Sequence, residues 1–93
     1  MIGRGTVVKS IAGHDKNRFY LVLAREGDFA LIADGAVRKL SAPKKKRLKH
    51  LRQTLTVIDP GTVLTDKALK AALRPFNTTE TIDQEGGGIL GKE

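Results

Sequence analysis

Apolar residues fall in short runs through the first half of the chain and take up helical spacing only near residue 70. Thr6-Val7-Val8-Lys9-Ser10-Ile11 is rich in β-branched side chains and predicts a strand. Arg18 to Ala24 predicts a second. Its middle, Phe19-Tyr20-Leu21-Val22-Leu23, is apolar at every position, so both faces should be covered and the strand central. The polar bend Ala12-Gly13-His14-Asp15-Lys16-Asn17-Arg18 separates the two. Arg25-Glu26-Gly27-Asp28 reads as a tight hairpin turn with glycine where a positive φ is needed. Phe29 to Ala33 predicts a third strand, Asp34-Gly35 a further hairpin turn, and Val37 to Leu40 a fourth strand. Short strands joined by turns, with no helix between them, predict an all-β chain rolled into a small antiparallel barrel of about five strands.

Pro43 closes this meander. The run Lys44 to His50 has Leu48 as its single apolar side chain and fits either an irregular loop or a short helical turn, leading into a last strand near residues 50–57. Asp59-Pro60-Gly61 is a turn. Thr65 reads as an N-cap, and Asp66 complements the dipole of the helix that follows. Ala68, Leu69, Ala72 and Leu73 form its apolar stripe, and Pro75 is expected to stop it. A helix of about nine residues is marginal alone and should pack on the sheet or on a partner. Asn77 to Glu93 includes Gly86-Gly87-Gly88 and is expected as a flexible tail. The glycines lack the strand before and the Lys-Ser/Thr helix start after that a phosphate cradle requires. The expected organisation is a barrel with its basic segment over 1–58, a turn and short helix over 59–76, and a tail over 77–93.

Charge changes this picture. The net charge is +7, yet residues 1–58 hold 13 Lys/Arg against 4 Asp/Glu, while residues 59–93 hold 4 against 6. Eight of the 17 cations lie between Arg38 and Arg52. Clustering of this kind is the footprint of a phosphate-backbone ligand; the plain alternative is a solvated lysine face. The absence of cysteine excludes disulfides and thiolate metal sites. No segment approaches the roughly 20 apolar residues of a membrane span, and the start has no run suited to a signal peptide. A soluble, cytoplasmic, monomeric protein is expected.

Gly5-Thr6-Val7-Val8, then Gly13-His14-Asp15-Lys16-Asn17, then an apolar strand, resemble the KOW motif. Ala33-Asp34-Gly35, Arg38-Lys39-Leu40, Pro43 and the basic run ending in Leu51 extend the likeness. Over residues 2–54 the chain is similar to KOW-containing large-subunit ribosomal proteins of the fourteen-e type and to short bacterial KOW-domain RNA-binding relatives. The resemblance implies an SH3-like barrel that binds structured RNA, ribosomal RNA above all, as a ribosome-associated factor. The motif commonly has glycine where this chain has Asn17, the next best residue for a positive φ.

Gly13 and Asn17 should let the loop reverse tightly, and Asp15 should hold its shape by accepting backbone N–H bonds. Candidate RNA contacts in and beside the loop are Lys9, Gly13, His14, Lys16, Asn17 and Arg18. The others are Arg38 and Lys39, then Lys44, Lys45, Lys46 and Arg47, then Lys49, His50 and Arg52. Phe19 and Phe29 are expected in the core, and Tyr20 in the core or at its rim, with stacking on a base as the alternative if it faces out; so few aromatics do not suit a base-stacking single-strand binder. His14 and His50 lack metal-ligand spacing, and no nucleophile context exists, so neither catalysis nor a cofactor is expected. The competing expectation is a protein-interaction adaptor of the transcription or translation machinery, docking through the barrel edge, the 66–74 helix or the acidic tail.

Overall fold

The computed structural model describes residues 1–86, with side chains as far as Asn77. Five strands, β1 (Thr6–Ser10), β2 (Phe19–Glu26), β3 (Phe29–Ala33), β4 (Lys44–Arg47) and β5 (Leu51–Val57), form one antiparallel sheet in the order β4-β3-β2-β1-β5. A single 3₁₀ turn, Leu48–His50, carries the chain from one edge strand to the other. Three residues span at most about 10 Å, so the sheet is rolled until its edges nearly meet. The architecture is all-β and barrel-like, with one helix, α1 (Asp66–Gly86), on its outside.

The unbroken apolar run in β2 has the consequence expected of it: the central strands are covered on both faces. Val7, Leu21 and Ala33 lie on one face and meet Leu69 and Leu73 of α1. Val8, Tyr20, Val22, Ala30, Ile32 and Leu51 fill the inside of the roll. Complete burial of a leucine stabilises by roughly 2 kcal/mol, so α1 is fastened largely by Leu69 and Leu73.

Four expectations need correction. Val37 to Leu40 is not a strand. The Asp34 carboxylate accepts the N–H groups of Ala36 and Arg38 at 3.0 and 2.8 Å, and Gly35 takes a φ of +81°, so the backbone bends away from the sheet. The strand comes later, in Lys44–Arg47, where a loop or helical turn was expected. Phe29 is half-buried and belongs to neither core cluster.

Pro75, finally, does not stop the helix, which continues to Gly86. Ala71, whose carbonyl the proline leaves without its helical donor, is exposed, so water can serve it. Beyond the proline, the Phe76 ring packs on Phe19 with centroids 5.2 Å apart, and the Asn77 side chain accepts from the Phe19 N–H at 3.0 Å. The expected tail is therefore helical from Asn77 through Gly86; Gly87, Gly88, Ile89 and Leu90 lie outside the described residues. At its start α1 has the expected cap, the Thr65 hydroxyl accepting the Ala68 N–H at 3.1 Å.

The 34–40 bend docks against the first turn of α1, where Asp66 accepts the Leu40 N–H at 2.7 Å. A Cβ on Gly35 would lie 2.2 Å from the Asp66 carbonyl oxygen. Gly35→Ala should therefore cost about 2 kcal/mol or more, through both the positive φ and this clash, read as a fall in the urea midpoint.

Candidate nucleic-acid interface

The pleat of β4 divides the basic run. Alternate side chains of a strand point to opposite faces. Lys45 and Arg47 point outward and sit over the Phe29 ring, each 4.9 Å from its centroid. Lys44 and Lys46 point the other way, toward the 12–18 loop. Lysine is a poor strand former, but β4 lies at the sheet edge, where charged side chains also discourage pairing with another chain.

Lys46 is only 7% exposed, and its ammonium donates to Asp15 at 2.5 Å and to the Ala12 carbonyl at 2.8 Å. Ser10 donates its hydroxyl to the same Asp15 oxygen at 2.8 Å, and Lys44 approaches the other at 3.4 Å. Asp15 thus holds the loop by clasping β4, not by accepting loop N–H groups as the sequence suggested. Burial alone would raise its pKa; the hydrogen bonds from Lys46 and Ser10 and the charges of Lys46 and Lys44 outweigh that and hold it at about 2. The loop backbone does behave as its residue types imply, with φ of +86° at Gly13 and +76° at Asn17. Asn17 donates its N–H to the Ser10 carbonyl at 2.7 Å, continuing the β1–β2 pairing.

A cleft of about 320 Å³ opens where the loop, the 34–40 bend and β4 meet, lined by His14, Asp15, Arg18, Tyr20, Val37, Arg38 and Lys44. Arg18 donates to the buried Asp34 at 2.5 Å. Both carboxylates here are engaged from within, so the balance facing the cleft is cationic. Tyr20 is fully buried, its hydroxyl beside the Asp15 carboxylate but without a well-formed hydrogen bond to it. Burial, then the nearby Asp15 and Asp34 carboxylates, push its pKa above the ordinary tyrosine value.

The structure brings His14, Arg18, Arg38 and Lys44 together but not the whole candidate set. Arg47 and Lys49 line a second hollow of about 400 Å³ with Asp28 and Leu48. Lys9 and Arg52 are register partners on β1 and β5, with the Lys9 ammonium 5.6 Å from the Phe19 centroid. Lys16 and Lys39 are exposed, and His50 is half-buried in the 3₁₀ turn. Lys46 leaves the candidate surface altogether, because burial and its ion pair consume its charge locally. Val37 was missed as a cleft residue, and nothing local marks it; Tyr20 does not face out to stack on a base but is buried beneath the cleft. Asp34 was expected only as part of a hairpin turn; its side chain's hold on Arg18 and on two backbone N–H groups was not.

No protein-family model matches the chain, and no curated protein matches it.

The Asp15 carboxyl is held below its ordinary 3.8, so the stability it contributes is complete above that pH and is lost as pH falls toward about 2. The loss should amount to about 2 kcal/mol in urea melts at successive acid pH values. Asp15→Asn should remove that part of the acid dependence while lowering stability at neutral pH.

Proposed function

We propose that the protein binds structured RNA through a basic surface as a cytoplasmic, ribosome-associated factor, and that it is a binding protein with no catalytic step. The observation that carries this reading is the cationic cleft assembled from three separate segments, with His14, Arg18, Arg38 and Lys44 facing it, beside the outward Lys45 and Arg47 of β4. Phosphates of a folded RNA are dense and irregularly placed, and cations held on a rigid sheet engage several at once. Such contacts position a protein without reading sequence. The resemblance to KOW-domain RNA-binding proteins supports the same function, and ribosomal RNA as the target.

One observation favours the adaptor reading instead. Leu55 and Val57 on β5 are 103% and 71% exposed, at an edge of the sheet that no other strand covers among the described residues. An extended peptide from a transcription or translation factor could pair there. Added salt separates the two, since phosphate binding weakens steeply with it and an apolar contact does not.

Replacing Lys45, Arg47 and Lys49 together by glutamine should weaken binding to a ribosomal RNA fragment and flatten the plot of log affinity against log salt by about two to three units, with Tm unchanged. Lys46→Met, by contrast, should destabilise by roughly 3 kcal/mol, because Asp15 loses its main partner. Unchanged RNA affinity in the triple variant, measured by filter binding, would remove the outer face of β4 from the interface.

A further inference from the structure

We propose that the cleft between the 12–18 loop, the 34–40 bend and β4 receives one unpaired nucleotide of the bound RNA, its phosphate between His14, Arg38 and Lys44 and its sugar or base against Val37. This rests on the RNA-binding reading and goes beyond it: an electrostatic surface needs no discrete site, whereas this one has walls, a floor and a rim.

Size is the first argument. About 320 Å³ is at the lower end of small-molecule sites and suits a single nucleotide rather than a duplex. Charge is the second. Asp15 is taken up by Lys46 and Ser10, and Asp34 by Arg18 and two backbone N–H groups, which leaves Arg38 as a cation lining the cleft with no part in those bonds through its side chain. Lys44 reaches Asp15 only at 3.4 Å, near the limit of a hydrogen bond, so a phosphate can compete for it. The third argument is the floor. Tyr20, fully buried beside the Asp15 carboxylate, closes the cleft from below. Last, Val37 is 63% exposed on the rim and offers an apolar seat to a ribose or base.

The test uses the full chain labelled with ¹⁵N. Adenosine monophosphate and inorganic phosphate are titrated separately, beside an RNA hairpin with one bulged nucleotide and the same hairpin without it. The expected result is that the monophosphate moves the amides of His14, Val37, Arg38 and Lys44 above those of β5, and that inorganic phosphate moves the same set less. The bulged hairpin should bind about tenfold more tightly than its perfect counterpart. Val37→Glu, at an exposed position outside every ion pair described above, should remove both the monophosphate response and that preference; Arg38→Gln with Lys44→Gln should do the same.

If both hairpins bind equally in a salt-dependent way and Val37→Glu changes nothing, the nucleotide site is overturned while RNA binding stands. If the monophosphate occupies the cleft but neither hairpin binds, both the proposal and the RNA-binding reading fall, and the cleft is a site for free nucleotides.

Discussion

The contact between Lys46 and Asp15 organises the functional half of this molecule. It joins the edge strand β4 to the loop between β1 and β2, two segments that the sheet order keeps at a distance. A buried ion pair is a weak source of net stability, because removing both charges from water cancels much of their attraction. Its value here is geometric. With the ammonium also bound to the Ala12 carbonyl and the carboxylate to the Ser10 hydroxyl, the loop has one favoured seat on β4, and Gly13 and Asn17 supply the backbone conformations to reach it.

The cost of that clasp is borne by the charge pattern. A run of four consecutive cations looks like one patch when written out, yet the pleat sends Lys45 and Arg47 to the outer face and Lys44 and Lys46 toward the loop. The positive surface is thinner on β4 than the composition suggests and richer around the cleft, where Arg38 arrives from a bend rather than a strand. The same bend owes its shape to Asp34, which uses one oxygen for two backbone N–H groups and the other for Arg18. Asp34 and Asp15 thus hold Arg18, Lys44 and Lys46 in place around the cleft.

Much of the scaffold could be read from the chain. The β-branched run at 6–10, the two-sided apolar stretch in β2, the Gly27 turn and the Thr65 cap are local signals, and each appears in the structure where its chemistry places it. The errors share a cause. Val37 to Leu40 has the look of a strand, but the Asp34 carboxylate captures the Arg38 N–H and Asp66 the Leu40 N–H. Lys44–Arg47 has almost no strand propensity, but β3 offers an unpaired edge, and pairing overrides preference. Pro75 ought to end a helix, but Phe76 and Asn77 find anchors on Phe19, across 58 residues of sequence in the case of Asn77.

The candidate site divides along the same line. Its residue types were legible: the loop glycine and asparagine, the histidine, the density of lysine and arginine. Their grouping was not. Strand period, turn geometry and capping depend on neighbours within a few positions, so the amino-acid order alone determined the all-β class, the central strand and the helix start. Which cations are spent on Asp15 and Asp34, which face outward, and that Tyr20 and Val37 share a cleft with Arg38 depend on contacts between segments far apart in the chain. Only the closing of the sheet decided those, because a long-range pair gains its energy after the chain has folded and leaves no periodic mark before it.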